Sequence, residues 1–119
     1  MGRMKVSIED KEFRKWLRKT ETGIAKELKD TLASYTASIE DLAKQLCPVD
    51  TGYLRSSITM EIKSGGTVGI VRVGAYYGKY VEFGTVYQNP QPYLIPAYNI
   101  LSKQFVDEII KKVDKYLKG

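Results

Sequence analysis

The sequence predicts an α+β domain with a long N-terminal helical region, an antiparallel β-hairpin or small sheet, a short helix and a C-terminal helix. Apolar residues recur every three or four positions through residues 10–46 and 96–118, which is the period of an amphipathic helix. Residues 58–74 carry the alternating and β-branched runs typical of strands. Because no alternating βαβ units occur, a parallel sheet is not expected. Residues 1–119 should form one domain.

The N-terminal helical region follows a short predicted strand, Lys5–Ile8. Either Asp10 or Ser7 can cap a helix that begins near residue 10. Gly23 is expected to divide the region into a short helix and a long one of residues 22–46, roughly 37 Å long at about 1.5 Å per residue. The expected core-facing stripe consists of Phe13, Leu17, Ile24, Leu28, Leu32, Tyr35, Ile39, Leu42 and Leu46.

A tight corner is predicted where the long helix ends. Pro48 stops the helix, because proline lacks a backbone N–H and pushes the preceding residue out of helical conformation. Asp50 and Thr51 can offer side-chain oxygens to free backbone amides, and Gly52 permits a tight turn. The chain then enters the first strand of the hairpin.

The hairpin is read from its alternation and its glycines. Residues 58–62 alternate apolar with polar, so one face should be buried. Residues 64–67 supply the turn, and residues 68–74 form the returning strand. Gly69 is interpreted as a bulge and Gly74 as the end of that strand.

A short helix is predicted next, with Tyr77, Tyr80 and Val81 on one face and Gly84 as its stop. A proline-bearing loop leads to a final helix that has Pro96 in its first turn. Its apolar stripe consists of Leu101, Phe105, Ile109, Val113 and Leu117.

Composition excludes several function classes. With no histidine and a single cysteine, Cys47, the chain lacks an internal disulfide, the usual metal sites and the Ser-His or Cys-His nucleophile pairs. No apolar run is long enough for a membrane span, and the N-terminus does not resemble a signal peptide, so a cytoplasmic origin is expected. The net charge of +5 is concentrated in the terminal segments. An enzyme is therefore not expected, and no cofactor is implied.

The triplet Asp50-Thr51-Gly52 is also the catalytic triplet of aspartic proteases, in which two such carboxylates share one proton. Those enzymes place the aspartate in a loop after an apolar strand, whereas Asp50 follows a long helical pattern and Pro48. A dimeric protease using Asp50 is thus a remote alternative, and a backbone corner explains the triplet more simply.

Three segments in order, Pro48–Ile58, Tyr77–Thr85 and Gln91–Ala97, resemble the minor tail-component or neck family of long-tailed phages and prophages. The family order of helical half, corner segment, hairpin, Tyr-x-x-Tyr-Val-Glu-Phe-Gly-Thr-like segment, Gln-Pro-Phe-Leu-like segment and final helix is matched across nearly the whole chain. Tyr93 stands where phenylalanine is common in the family.

The resemblance implies a structural virion protein at the head-tail junction, a neck, tail-completion or tail-terminator component. Its partners would be other neck or tail proteins, in a homo-oligomeric ring in the virion, with assembly in the host cytoplasm. The isolated chain could be a monomer, with no membrane contact and at most weak DNA contact. A basic nucleic-acid-binding module is the alternative function, because the sequence pI is about 9.2.

Three groups of candidate residues follow from these segments. The structural corner motif is Pro48, Asp50, Thr51, Gly52, Leu54, Ser57 and Ile58, in which Leu54 and Ile58 should anchor the corner in the core. The short-helix motif is Tyr77, Tyr80, Val81, Glu82, Phe83, Gly84 and Thr85, in which Tyr80, Val81, Phe83 and Gly84 should pack the short helix and stop it. The candidate assembly loop is Tyr87, Asn89, Gln91, Pro92 and Tyr93.

The sequence allows two alternative roles for each of two side chains, Glu82 and Trp16. Glu82 is either an exposed, solvated carboxylate or a hydrogen-bonding or inter-subunit group, for which Lys79 and Arg55 are the nearest candidate partners in the sequence. Trp16 lies beside the apolar stripe, and packing in the core is favoured over a partner contact.

Overall fold

The described residues form five helices and a three-stranded antiparallel sheet. The structure is a computed structural model that describes residues 3–7, 10–20, 23–48 and 52–118. The elements in chain order are β1 (Arg3–Ser7), α1 (Lys11–Lys19), α2 (Gly23–Leu46), α3 (Tyr53–Ser56), β2 (Ile58–Lys63), β3 (Val68–Val73), α4 (Gly78–Phe83) and α5 (Leu94–Lys118). The predicted α+β class and element order are confirmed.

The sheet has the strand order β1-β3-β2, with β3 antiparallel to both neighbours. Val71 of β3 lies opposite Met4 on one side and Met60 on the other. These side chains belong to the main core, where they meet buried residues of α2 and α5 such as Ile39 and Phe105. The two long helices therefore cover one face of a sheet that begins at the N-terminal strand.

The predicted bulge at Gly69 is wrong. The pairing of β2 with β3 runs without interruption from Ile58↔Val73 to Lys63↔Val68, so Gly69 is an ordinary ladder residue. A Cβ at Gly69 would lie 1.9 Å from Oγ1 of Thr36, a buried residue of α2. The glycine is needed because the side chain of Thr36 on α2 packs directly against the strand there.

The helical boundaries largely follow the local signals. Asp10 is the N-cap of α1, and its Oδ1 accepts a hydrogen bond from the N–H of Phe13 at 2.8 Å. Gly23, with a positive φ of 62°, opens α2 after the break at Thr20. The predicted residue Ile8 lies outside the described part of the chain.

The apolar stripes are buried in the middle and exposed at their ends. Leu46 and Leu117 were predicted to face the core, yet both are exposed at the last turns of α2 and α5. Trp16, predicted to pack in the core, is partly exposed and stacks on Phe13 with ring centroids 5.8 Å apart. Periodicity identifies the correct helix face, but a helix end extends past the elements that could cover it.

Candidate functional site

Helix α4 has an inward and an outward face. Gly78 and Glu82 are buried, and Val81 packs against the main core. Tyr80 and Phe83 lie one helical turn apart on the opposite side and are exposed. The prediction that Tyr80 and Phe83 pack the short helix is wrong, because the core side is already occupied by the smaller residues.

Glu82 is a buried helix cap, with only 6% of its surface exposed. Its Oε1 accepts hydrogen bonds from the backbone N–H groups of Tyr93 (3.2 Å) and Leu94 (2.8 Å), and its Oε2 accepts one from Ile95 (3.1 Å). The next residue, Pro96, has no N–H, so the carboxylate satisfies the free donors at the start of α5. Negative charge at this end of a helix is also favoured by the helix dipole. Of the two alternatives, the structure shows the hydrogen-bonded one.

Tyr93 belongs to the core and not to the exposed loop in which it was predicted. Its ring is buried, and its hydroxyl donates a hydrogen bond to the carbonyl of Gly78 at 2.9 Å. A Cβ at Gly78 would lie 2.8 Å from that hydroxyl and 2.6 Å from Cγ1 of Val73. Only glycine at position 78 therefore allows α4 to pack this closely against Tyr93 and Val73. Burial, with the nearby Glu82 carboxylate as a smaller cause, raises the pKa of Tyr93.

The end of α4 is tied to the segment before α5. Gly84 has a φ of 77°, and its N–H bonds to the carbonyl of Tyr80 at 2.9 Å, as predicted for a helix stop. A Cβ at Gly84 would lie 2.8 Å from the nitrogen of Pro90. The N–H of Gln91 bonds to the carbonyl of Val81 at 2.8 Å. The loop is therefore held at both ends.

A tight turn projects from this support. Thr85 and Gln88 form a β-bridge, and the Thr85 hydroxyl accepts a hydrogen bond from the N–H of Tyr87 at 3.1 Å. Val86 and Tyr87 stand at the tip, 91% and 94% exposed. The remaining predicted loop residues, Asn89, Gln91 and Pro92, are exposed as well.

Four large exposed side chains stand within eight residues of one another in the chain and are here called the aromatic patch: Tyr80, Phe83, Val86 and Tyr87. Three of them were named from the sequence, but Val86 was missed. Its position inside a predicted loop was the one signal that this apolar side chain would be exposed. A second group lies at the start of α3 and before α4, where the ring of Tyr77 is 6.2 Å from that of Tyr53 and 5.4 Å from that of Tyr76. These three tyrosines form a second aromatic cluster.

A small cavity lies beside α4. It has a volume of about 180 Å³, and its walls come from the first residues of β1, from α4 and from the start of α5. Phe83 and Met4 contribute to its apolar lining, and Arg3 stands at its edge. The patch therefore borders a recess on the same molecule.

The described residues of the corner motif shape the turn between α2 and β2. Leu54 and Ile58 are buried, which confirms their predicted anchoring. Gly52 has a φ of 77° just before α3, and the Ser57 hydroxyl donates to the carbonyl of Leu54 at 2.7 Å. Pro48 follows the end of α2, while Asp50 and Thr51 lie outside the described residues.

Neither a metal centre nor a membrane-spanning helix occurs among the described residues. Across the described residues, no group of three or more Cys, Asp or Glu side chains is arranged to hold a metal ion. Within the same ranges, none of the helices combines the length and apolarity that crossing a membrane demands.

The described residues define a small α+β fold in which the short helix α4 is tied to α5 and carries exposed aromatic side chains. The family model described as "Bacteriophage HK97-gp10, putative tail-component" matches residues 11–84. Because the match covers more than half of the chain, the protein belongs to this HK97-gp10-like family of phage tail components. The match includes the corner motif and Tyr77–Gly84, whereas Gln91–Ala97 lies beyond it. The comparisons with curated proteins and with solved structures gave no match.

Proposed function

We propose that this protein is a structural virion component at the phage head-tail junction, acting as a neck, tail-completion or tail-terminator protein. The observation that carries the proposal is the aromatic patch, whose four members are 48–94% exposed. Large exposed apolar side chains grouped on a single chain mark interaction sites. Aromatic side chains are also enriched at the centres of protein interfaces. The patch therefore serves as a contact with other neck or tail proteins.

The support of the patch favours this role. Glu82 fixes α4 to α5, and the bond from Gln91 to Val81 fixes the far end of the loop. Gly84 holds the turn against Pro90. A surface that is rigid before contact loses less conformational entropy on binding. Phe83 and Tyr87 can thus bind a partner with little ordering cost.

We further propose that copies of the chain form a ring in the virion after assembly in the host cytoplasm. The patch and the recess beside α4 lie on one molecule, and both are suited to apolar contacts. An isolated chain remains monomeric when its ring contacts are too weak without the neighbouring tail proteins.

A non-enzymatic role agrees with the surroundings of Asp50. The described elements on either side of it are the helices α2 and α3, whereas a protease aspartate requires a strand before its loop. The absence of histidine from the sequence also removes the commonest general base. Among the described motif residues, Ser57 and Glu82 act through hydrogen bonds to the backbone.

The test is complementation of a phage or prophage from which this gene has been deleted, followed by electron microscopy and plaque counts. Deletion should give filled heads beside unattached or misterminated tails. The wild-type gene should restore virions, and a Phe83→Ser/Tyr87→Ser variant should not. Tyr116→Ser is the matched control, because Tyr116 is a similarly exposed aromatic residue on α5. Infectious particles from the deletion would overturn the junction role, and full complementation by the double variant would overturn the patch.

A further inference from the structure

The sheet has a second face, turned away from the core that covers Met4, Met60 and Val71. Strand register places nine residues on it in three rows across the strands, because side chains alternate between the faces. The rows of this open sheet face are Arg3, Arg72 and Thr59, then Lys5, Ile70 and Glu61, then Ser7, Val68 and Lys63.

The open sheet face is strongly basic. It carries four cations against one carboxylate, a net charge of +3 in a chain whose total is +5. Glu61 contacts Arg72 and lies 3.7 Å from Lys63. Within the described residues, Arg3 and Lys5 form no ion pair. The hydrogen bond from Arg72, helped by the charge of Lys63, lowers the pKa of Glu61, as expected in a cationic environment.

The central apolar residue of this face is hidden. Ile70, the central residue, is only 3% exposed although it is not part of either core cluster. Its neighbours in the row are Lys5 and Glu61, whose long side chains can cover it with their methylene groups. The surface offered to a partner therefore consists mainly of the charged groups at the ends of long side chains.

We propose that the open sheet face binds the phosphate backbone of double-stranded DNA. A polyanion matches the charge excess, because cations on such a surface replace the counterions held by phosphates. A protein partner is less suited, since interfaces depend on buried aromatic or apolar anchors and this face has none exposed. A single strand is less suited as well, because no aromatic side chain is present among the nine residues to stack on bases. Binding here requires neither the aromatic patch nor a junction role.

The expected binding is weak, independent of sequence and sensitive to salt. With about three phosphates neutralised per copy, the logarithm of affinity should fall with a slope of about −2.7 against the logarithm of salt concentration. Affinity should then drop roughly 40-fold between about 50 and 200 mM salt. Several copies held together would strengthen the binding through effective concentration.

Fluorescence anisotropy with a labelled duplex of about 30 base pairs tests the proposal. At about 50 mM salt, Arg3→Gln/Lys5→Gln should bind at least ~10-fold more weakly, with a salt slope smaller by about 1 per cation removed. The matched control is Lys11→Gln/Lys15→Gln, which removes the same charge from exposed positions on α1. Circular dichroism of each variant checks that the fold is retained.

A gain of affinity provides the stronger test, because misfolding does not produce one. Glu61→Gln removes the only negative charge among the nine described residues of the face and should tighten duplex binding several-fold. Glu12→Gln, on α1, is its control. Absence of duplex binding by the wild type at about 50 mM salt would overturn the proposal. Equal losses of duplex affinity in Arg3→Gln/Lys5→Gln and in the control Lys11→Gln/Lys15→Gln would overturn the proposal too. Tighter binding of the wild type to polyglutamate than to DNA would do the same.

Discussion

The carboxylate of Glu82 lies 2.8 Å from the backbone nitrogen of Leu94, so the short helix α4 caps the long helix α5. Three backbone N–H groups donate hydrogen bonds to this one side chain. Pro96 has no N–H, so no fourth donor at the start of the helix needs an acceptor. Two segments separated by a loop are thereby joined into one support for the aromatic patch. Loss of this link should therefore lower the stability of the protein.

Replacing Glu82 with alanine should destabilise the protein strongly. The substitution leaves the buried N–H groups of Tyr93, Leu94 and Ile95 without acceptors, and each such donor costs about 1–3 kcal/mol. We expect a loss of at least about 3 kcal/mol in the free energy of unfolding, measured by urea denaturation. Asp30→Ala is the control, since it removes only an exposed pair with Lys26. A Glu82→Ala variant as stable as this control would contradict the capping role.

Two glycines of the same strand region should respond differently to alanine. At Gly69 the new Cβ would collide with Thr36, so Gly69→Ala should lower the free energy of unfolding by about 1–3 kcal/mol. At Gly74 the nearest atom is 3.5 Å away, an ordinary contact. Gly74→Ala should therefore be neutral or stabilise by up to about 1 kcal/mol. Thermal and urea unfolding of the pair measures the difference, and similar values would refute the close approach of α2.

Tyr93 should make stability fall in alkali. Its pKa is raised in the folded state above the ordinary value of 10.0, so below about pH 10 the phenol is protonated in both states. Above that pH only the unfolded chain loses the proton, and stability should fall by up to about 1.4 kcal/mol per pH unit until the folded-state pKa is reached.

Tyr93→Phe measures this effect. The variant loses the bond to Gly78, which costs about 0.5–1.5 kcal/mol at every pH, but its alkaline decline should be shallower than that of the wild type. Burial also raises the pKa values of Cys47 and Tyr35, so the comparison rests on the difference between the two proteins. Parallel declines from about pH 9 to 11.5 would show that Tyr93 titrates normally in the folded state.

Cys47 should be protected from thiol reagents in the native protein. The side chain is buried just after α2, and burial raises its pKa more than the nearby Arg55 lowers it. A smaller thiolate fraction and restricted access both slow alkylation. At about pH 8 we expect iodoacetamide labelling at least ~100-fold slower than in urea-unfolded protein, followed by mass spectrometry. Equal rates with and without urea would contradict the burial.

Local patterns accounted for most of the backbone. Asp10 was one of two predicted N-caps, and the break at Gly23 and the stop at Gly84 were predicted too, because each depends on a side chain or a φ angle within a few residues of it. The face of each long helix was also predicted from its period. Its exposed ends, such as Leu117, were not, because burial there depends on which other element reaches that far.

The candidate site was predicted in composition but not in arrangement. The segment around Glu82 was named, yet its partners are backbone amides 11 to 13 residues away, which no charge pattern identifies. Tyr93 was assigned to the loop because its neighbours are polar and proline-bearing. In the fold it fills the space above Gly78.

By itself the sequence determined the class of fold, the order of its elements and the family, because periodicity, capping residues and short motifs act over a few neighbouring positions. Only the tertiary structure decided that Glu82 is buried, that Phe83 is exposed and that four cations share the open sheet face. Those outcomes depend on distances between residues that are far apart in the chain. Packing and strand register set such distances, and neither can be read from a local pattern.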